Sequence, residues 1–321
     1  MIRRRIHLPS DYAARVDRLL AESFSGFSRQ RIQRLLEDGS VRIDGRRVRK
    51  GEMLRGECVI EVAADDSAIP ALPPEPEPPI AILFEDSSCI ALDKPAGRAG
   101  HALRSGERGT IANFLTARFP ECSSAGDTPL EAGLVHRLDT ETSGVLLAAR
   151  TREAWKALRL QFRERKVGKL YVAVVQGALA NAGEVTRAIE PHPRNRRKVR
   201  VLEEGESSHR ARPAVTRFRP RGRSSDATFL EVELPTGVMH QIRAHLAAIG
   251  HPVLGDTLYG GDPIPEGRHL LHARRIEFDH PETGKRIAVE SRVPEDFAIA
   301  LRRLGFRLSA FGTSMPIADG R

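Results

Sequence analysis

The sequence predicts an α+β protein made of a small basic N-terminal module and a larger mixed domain. Candidate strands and helices do not alternate in regular βαβ units, a proline-rich stretch separates two regions of ordinary composition, and basic residues are concentrated at the N-terminus. At 321 residues the chain is long enough for about two domains. Hydrophobic residues make up 40% and charged residues 29%, a balance typical of globular domains with a sizeable core.

The charge of the chain is strongly basic and unevenly distributed. The formal net charge is +9 and the pI is near 10.0. Residues 1–56 contain 14 Lys and Arg but only 7 Asp and Glu, so most of the excess lies there. A basic excess confined to one small module is typical of a surface that binds a nucleic-acid backbone. A solvated surface or a contact with anionic lipid would produce the same balance, so charge alone leaves these alternatives open.

The first elements of the N-terminal module are two short helices, over residues 15–20 and 28–36. Ser28 is a suitable N-cap for the second helix, and Gly39 fits its end. Apolar residues of this helix recur on one face, which leaves its arginines largely outside the apolar stripe: Arg29, Arg31 and Arg34. Residues 41–48 then alternate like a strand that is broken by Asp44-Gly45, a strong β-hairpin signal.

This order of elements resembles the small S-four RNA-binding module, first named in a ribosomal protein. The resemblance covers residues 15–62 and includes Ser28-Arg29, Asp44-Gly45 and Lys50. It implies that the module binds RNA, and we expect its exposed cations to make the contacts: Arg29, Arg31, Arg34, Arg46, Arg47 and Lys50.

Residues 63–79 form a candidate domain linker. The stretch contains six prolines and shows neither helical nor strand periodicity. Because proline fixes φ and removes a backbone donor, we expect a semi-rigid spacer that takes no part in a core. The predicted organisation is therefore an RNA-binding domain over residues 1–62, this linker, a second domain over 80–306 and a disordered tail over 307–321.

The second domain is predicted to contain both strands and helices in irregular order. Strands are expected over residues 80–84, 89–92, 145–149, 170–175 and 229–234. Helices are expected over residues 110–119, 151–165 and 240–249, and Lys94 to Gly97 reads as a turn. Residues 191–224 are rich in Arg, Pro and Ser, and we interpret them as a long, mobile, basic insertion.

The segment 136–144 is the most informative part of the chain for chemistry. Its sequence is His-Arg-Leu-Asp-Thr-Glu-Thr-Ser-Gly, and the apolar run 145–149 follows directly. A short polar loop that enters a buried strand can hold a carboxylate rigidly while leaving it accessible, which makes Asp139 a candidate catalytic group. The same residues allow a simpler interpretation, in which Asp139 caps a turn and pairs with Arg137 on the surface.

The segment 136–144 resembles the catalytic motif of the RluA-type pseudouridine synthases. Residues 162–177 are similar to that family's second motif, residues 236–260 to its third, and residues 271–284 match its final conserved stretch. The motifs occur in the family's order. The resemblance implies a mixed, largely antiparallel sheet of the pseudouridine synthase type and an enzyme that isomerises uridine to pseudouridine in RNA. Large-subunit ribosomal RNA is the expected substrate; transfer RNA, or a non-catalytic role in RNA binding or ribosome assembly, remains the alternative.

The resemblance also implies roles for individual residues. Asp139 would be the nucleophile, and Arg243 would stabilise its charged form. Tyr171 would stack on the target uracil, although a tyrosine in a strand is also a common core residue. Because the target uridine lies in a stacked helix, the enzyme should flip it out, and Arg137 would fill the space left behind. His136, beside it, is expected to face the RNA-binding site and to support the loop by hydrogen bonding.

The chain departs from the family's pattern at two positions. Val238 and Met239 stand where the family usually has Arg-Thr before the His-Gln-Ile-Arg segment. The change removes a cation and a hydroxyl near the expected site, so we expect altered substrate contacts.

Several other functions are disfavoured by the sequence. The isomerisation involves no redox change, so neither a cofactor nor a metal is expected, and His240 and His245 lack zinc-helix spacing. Thr142-Ser143-Gly144 is not a serine-hydrolase elbow. The three cysteines are far apart, no apolar run reaches 18 residues, and no secretory signal is evident. We expect a cytoplasmic protein that does not bind membranes, and we also expect a monomer whose partner is the RNA that the resemblance implies.

Overall fold

The structure is a computed structural model that describes residues 2–7, 13–23, 29–63, 72–104 and 106–306. The predicted N-cap Ser28 and the predicted tail over 307–321 lie outside these residues. None of the helices in the described ranges is long and apolar enough to span a bilayer.

The N-terminal module is built from two helices and a small antiparallel sheet. Its strands pair in the order β1-β6-β3-β4, with β2 and β5 forming a separate pair, and both helices bury apolar residues in the same cluster as the strands. Asp44 and Gly45 have positive φ values of 49° and 77°, as expected for the hairpin turn. The elements are β1 (Ile2–His7), β2 (Ala13–Arg15), α1 (Val16–Ser23), α2 (Arg29–Glu37), β3 (Val41–Ile43), β4 (Arg46–Arg47), β5 (Met53–Arg55) and β6 (Glu57–Val62).

The second domain contains the remaining strands and helices, and the predicted helices and strands all correspond to observed ones. The elements are β7 (Ile82–Glu85), β8 (Cys89–Lys94), α3 (Ile111–Arg118), β9 (Ser143–Ala149), α4 (Arg152–Arg163), β10 (Gly168–Gln176), β11 (Gly183–Val185), β12 (Ile189–Pro191), β13 (Val199–Val201), β14 (Thr216–Arg223), β15 (Ala227–Glu233), α5 (Gln241–Ala248), β16 (Leu271–Asp279), β17 (Arg286–Glu290) and α6 (Glu295–Arg303).

One large sheet organises this domain. Eight strands follow the order β11-β14-β15-β10-β16-β9-β8-β7, and β17 pairs with β16. Only β9 and β16 run parallel among the described strand pairs of this sheet, where Ser143 lies opposite His272 and Gly144 opposite Ala273. The mixed, largely antiparallel sheet that was expected is therefore confirmed.

The sheet is covered by helices on both faces, and side chains that alternate along a strand enter different cores. Leu146 and Ala148 of β9 pack in the cluster that contains α3 and α5. Val145, Leu147 and Ala149 pack in the cluster with α4 on the other face. Every residue of β9 is consequently buried, so the strand that follows the Asp139 loop is fixed from both sides.

The interpretation of residues 191–224 as a mobile insertion is wrong. The stretch completes the β12–β13 hairpin and contains all of β14, which pairs with β15 inside the large sheet. Thr216 and Phe218 are buried, whereas Arg217 and Arg219 are exposed, so the period of a half-buried strand is present. The arginines on the solvent face masked that period because they dominate the composition.

The second half of the proline-rich stretch also differs from expectation. Leu72 is 1% exposed and belongs to the main core of the second domain. The side-chain amide of Asn113 donates to the carbonyl of Pro73, and the Arg98 guanidinium donates to that of Pro78. Residues 72–79 are thus packed against the second domain, because their proline carbonyls remain free to accept hydrogen bonds from it.

Candidate active site

A buried lysine, Lys94, holds the loop that carries Asp139 in place through hydrogen bonds. The ammonium of Lys94 donates to the carbonyls of Pro95 and Thr140, each at 2.8 Å, and Gly97 N–H donates to Thr140 O. Lys94 is fully buried, and burial lowers its pKa to about 7. The segment from Lys94 to Gly97, which the sequence analysis interpreted only as a turn, therefore positions the loop.

The end of the loop is fixed by two histidines of the facing segment. Thr142 Oγ1 lies 2.8 Å from His269 Nε2, and Ser143 Oγ lies 3.0 Å from His272 Nδ1. Burial lowers the pKa of His269 to about 4 and that of His272 to about 3, so both rings are neutral and act as hydrogen-bonding groups. Ser143 is itself buried, so its hydroxyl lies between the loop and β16.

Gly144 allows the strand after the loop to approach β16 closely. Its φ is +112°, and a Cβ there would lie 2.2 Å from the carbonyl oxygen of Ala273. Only glycine fits both the backbone conformation and the spacing. The Thr-Ser-Gly part of the motif therefore serves to dock the loop against β16.

The Asp139 carboxylate forms an ion pair with Arg243. Arg243 Nη1 donates to Asp139 Oδ2 at 2.8 Å, and His240 Nε2 lies 3.7 Å from Oδ1. Burial alone would raise the pKa of Asp139, but the neighbouring His240 and Arg243 more than offset it, and the pKa lies below the ordinary value. The carboxylate is therefore ionised at neutral pH, and the interpretation in which Asp139 pairs with Arg137 is wrong.

Arg243 is clamped by a second carboxylate. Its Nε and Nη2 atoms donate to the two oxygens of Asp256 at 2.6 and 2.8 Å, and Asp256 is 2% exposed. Burial disfavours the charged guanidinium, but Asp256 and then Asp139 outweigh it and raise the pKa of Arg243. This bidentate pair fixes the plane of the guanidinium, so the remaining nitrogen points at Asp139.

His240 and Tyr259 complete the surroundings of this pair. His240 precedes α5 with a φ of 55°, in the left-handed region that non-glycine residues seldom adopt. Its Nδ1 lies 2.9 Å from the Tyr259 hydroxyl, and the Tyr259 ring lies 5.2 Å below the Arg243 guanidinium. Burial lowers the pKa of His240, so Arg243 is the cation that persists beside Asp139 at neutral pH.

Tyr171 enters the same cavity from a β-bulge. Leu170 lies opposite Arg275 but Val172 lies opposite His272, so β16 carries one extra residue at this point. Tyr171 is 7% exposed, and burial together with the charge of Asp139 raises the pKa of its phenol. The hydroxyl is consequently neutral, and the residue belongs both to the core and to the cavity wall.

The cavity around Asp139 has a volume of about 550 Å³ and a cationic rim. Asp139 is the one carboxylate among the described residues that line it. The Lys169 ammonium in its wall donates to Thr236 O, and burial lowers its pKa to about 8. Five exposed arginines, two of them in α4, form the rim: Arg137, Arg159, Arg163, Arg165 and Arg212.

The predicted RNA contacts fall into three groups. Arg137 is exposed at the cavity, and His136 accepts the Leu147 N–H through Nε2 and stacks on Phe162, as its predicted supporting role requires. In the N-terminal module Arg46, Arg47 and Lys50 are exposed. The backbone of Arg29, Arg31 and Arg34 lies in α2, but their side chains lie outside the described part of the structure.

Val238 and Met239 are half-buried against an apolar cluster. The cluster joins Ile189 of β12, Val199 of β13 and Ala244 of α5. The two departures from the family's pattern therefore form a hydrophobic seam between the β12–β13 hairpin and the helix that carries Arg243.

Among the described residues, one group of potential metal ligands lies outside the cavity. Asp86, Cys89 and His280 have ligand atoms within 4.8 Å of one another. These atoms already serve other partners: Asp86 accepts from Ser88 N–H, Cys89 N–H and the His280 ring, while His280 Nδ1 accepts from Thr283 N–H. Burial raises the pKa of the Cys89 thiol to about 12. Hydrogen bonds among Asp86, Cys89 and His280 therefore connect the start of β8 to the end of β16.

The structure brings to the site four residues to which the sequence alone assigned no role. They are Lys94, in the predicted turn, and His240, Asp256 and Tyr259, in the segment similar to the family's third motif. The sequence did show that these segments contain ionisable side chains. Their contacts with one another could not be predicted, because they depend on how segments that are distant in sequence pack together.

Two family models match this chain, one over the N-terminal module and one over the second domain. Residues 88–248 match the family model described as RNA pseudouridylate synthase, and residues 14–60 match the S4 domain. A ribosomal large subunit pseudouridine synthase D from Xanthomonas campestris pv. campestris is 38% identical over 296 residues, which cover 88% of this chain and 86% of that protein. The protein of the same description from Pseudomonas aeruginosa is 33% identical and covers 97% and 98%.

Solved structures are similar in fold. Human RNA Pseudouridylate Synthase Domain Containing 4 superposes with a TM-score of 0.58 at 23% identity, over 71% of this chain and 94% of that one. Human RNA Pseudouridylate Synthase Domain Containing 1 superposes with a TM-score of 0.52 at 24% identity, over 69% and 86%.

Proposed function

This chain belongs to the RNA pseudouridylate synthase family, and from that membership we propose that it converts specific uridines of large-subunit ribosomal RNA to pseudouridine with Asp139 as the nucleophile. The observation that carries the proposal is the Asp139 carboxylate, which Arg243, itself fixed by Asp256, holds ionised at a cationic cavity shared with Tyr171. The relatives named for the large ribosomal subunit align with most of this chain, which supports ribosomal RNA as the substrate.

The isomerisation breaks one glycosidic bond and forms another. The bond between uracil N1 and ribose C1′ is cleaved, the base rotates, and C5 bonds to C1′. A proton leaves C5 and another is bound at N1, so the nucleotide keeps its composition and no external oxidant or reductant is needed. An ionised carboxylate can attack C1′ and divide the exchange into two easier steps, or it can assist elimination to a glycal. Asp139 fits both routes.

Arg243 has the electrostatic role in this scheme. Its charge keeps Asp139 ionised, and its clamp to Asp256 means that the carboxylate needs little reorganisation before it reacts. Tyr171 offers a neutral aromatic face to the uracil after the glycosidic bond breaks. The raised pKa of its phenol keeps a proton on the hydroxyl, so the residue can hydrogen-bond to the base without adding a second negative charge.

Access to a buried carboxylate requires that the uridine leave its helical stack. The Asp139 side chain is 16% exposed at the cavity, so a base that remains paired in a duplex could not bring its C1′ to it. The exposed Arg137, two residues before Asp139, is the residue we assign to the space left by the flipped nucleotide. The N-terminal module would add a second, phosphate-directed contact to the same RNA.

The experiment that tests this function separates the RNA substrates. Purified protein is incubated with unmodified large-subunit ribosomal RNA and, in parallel, with transfer RNA, and pseudouridine is mapped by chemical labelling. We expect modification at discrete sites of the ribosomal RNA by the wild type and none by Asp139→Asn. Modification of transfer RNA alone would contradict the substrate, and an active Asp139→Asn would contradict the nucleophile.

A further inference from the structure

Arg212 occupies a distinctive place on the wall of the active-site cavity. It lines the same cavity as Asp139 and Tyr171, beside the half-buried Val238 and Met239. Its side chain is exposed. Arg212 lies outside the motif segments 136–144, 162–177, 236–260 and 271–284, and the reaction assigns it no role.

The backbone of Arg212 is held rigidly. Its N–H donates to Ile189 O at 2.8 Å, and its carbonyl accepts the Ile189 N–H at 3.0 Å. Pro213 follows and restricts the backbone of the preceding residue. Ile189 is fully buried in the cluster that joins the β12–β13 hairpin to α5. The position of Arg212 is therefore fixed relative to the helix that carries Arg243.

The charge of Arg212 has no counterpart in the described structure. Arginines at or next to the β12–β13 hairpin, by contrast, are paired with carboxylates: Arg187 with Glu203, and Arg200 with Glu190 and Glu206. Among the described residues, no carboxylate lies within ion-pair distance of Arg212. The one acid that lines the cavity, Asp139, is already paired with Arg243. The backbone of Arg212 is thus fixed at the wall of the cavity, and its exposed, unpaired guanidinium is available to bind an anionic group of the substrate.

We propose that Arg212 binds a phosphate of the RNA strand at the mouth of the cavity, next to the nucleotide that reacts at Asp139. This inference rests on the proposed function and adds a substrate-positioning residue to it. A guanidinium presents a planar set of donors that matches two phosphate oxygens. Because the backbone of Arg212 is coupled to α5 through the apolar seam of Val238 and Met239, the contact would set how far the strand enters the cavity.

The test compares Arg212→Ala and Arg212→Lys with a matched control. Arg219→Ala removes an exposed arginine of β14 that does not line the cavity. Affinity for a large-subunit ribosomal RNA transcript is measured at several salt concentrations, on full-length chains that also carry Asp139→Asn to prevent turnover. Single-turnover rates at saturating protein are measured on chains that retain Asp139, and thermal melting checks that each variant is folded.

We expect Arg212→Ala to weaken RNA affinity about tenfold. The negative slope of log affinity against log salt should become shallower by about 0.7 to 0.9, as for one lost phosphate contact. Arg212→Lys should keep the slope and part of the affinity, and Arg219→Ala should match the wild type. The inference is overturned if Arg212→Ala behaves like Arg219→Ala, if Arg212→Lys loses the slope as Arg212→Ala does, or if only the rate at saturation falls. A wild type that makes no pseudouridine would instead refute the proposed function.

Discussion

The floor of the cavity, formed by Asp139 and Arg243 with the buried Asp256 behind them, holds its charges in ion pairs, whereas the rim presents arginines with no described carboxylate within ion-pair distance. On the floor, Arg243 bridges Asp139 and Asp256 with distances between 2.6 and 2.8 Å. The rim arginines are all exposed, and none forms an ion pair within the described residues: Arg137, Arg159, Arg163, Arg165 and Arg212.

The paired charges of the floor and the unpaired charges of the rim suit two different tasks, chemistry and RNA binding. Paired charges on the floor are fixed before the substrate arrives, which suits a group that must react with little reorganisation. Unpaired charges on the rim are solvated and can exchange water and counterions for phosphates, which suits binding. Changes on the floor should therefore reduce the rate of the chemical step, and changes on the rim or in the N-terminal module should reduce affinity.

The largest effect on the floor is expected from Arg243→Gln. Glutamine removes the cation that keeps Asp139 ionised and leaves Asp256 buried without its partner. Breaking a buried pair in this way should lower the free energy of unfolding by about 3 to 5 kcal/mol. Loss of a preorganised charge should slow single-turnover pseudouridine formation by about a thousandfold.

Denaturant unfolding and single-turnover assays on the same preparation check this prediction. Arg275→Gln, on the half-buried part of β16, is the control for loss of an arginine elsewhere in the sheet. An Arg243→Gln enzyme with the wild-type rate would show that the ion pair on the floor is structural only.

A smaller loss of rate is expected from Asp256→Asn. The change keeps the size of the side chain but removes the charge that fixes the plane of the Arg243 guanidinium. Arg243 would remain charged and close to Asp139 but would be less well oriented, and a small misplacement costs about a hundredfold in rate. RNA affinity should stay unchanged, because Asp256 is buried and does not line the cavity.

The measurement is the single-turnover rate at saturating protein alongside the dissociation constant for RNA. A parallel fall in both would contradict the division between floor and rim, since it would mean that the floor also binds the RNA strand.

The smallest effect on chemistry is expected from changes in the N-terminal module. Arg46, Arg47 and Lys50 are exposed, and replacing all three by alanine should weaken RNA affinity by about a hundredfold or more at moderate salt and reduce the salt dependence by more than Arg212→Ala does. The rate at saturating protein should stay as in the wild type.

Filter binding at several salt concentrations measures this effect. A triple replacement of Arg217, Arg219 and Arg223 by alanine on β14 removes the same net charge away from the cavity. Equal losses in the two triple variants would mean that total charge matters and that the module makes no specific contact.

Much of the fold could be predicted from local sequence signals. The Asp44-Gly45 turn, the apolar stripes of α2 and α4, and the buried strand after Gly144 all reflect short-range patterns that survive packing. The signal failed at β14, because arginines on its solvent face hid the alternation of Thr216 and Phe218. It failed again at residues 72–79, because their packing depends on Asn113 and Arg98, which come later in the chain.

The site was predictable in its central residue and less so in its surroundings. The motif resemblance indicated Asp139, Tyr171 and Arg243, and the structure brings all three to one cavity. The clamp from Asp256 and the support from Lys94 join positions that are 13 and 46 residues from their partners. No local pattern encodes such contacts, since they arise only when β8, β9, α5 and the loop after it are packed together.

The measurement that tests the central claim most directly is the release of tritium from uridine labelled at C5. The label must leave when C5 becomes the glycosidic carbon, so its release reports the isomerisation itself. With ribosomal RNA under single-turnover conditions, Asp139→Asn should slow the release by at least about a thousandfold. Its melting temperature and RNA affinity should stay close to those of the wild type. Release by folded Asp139→Asn at the wild-type rate would contradict the assignment of Asp139 as the nucleophile.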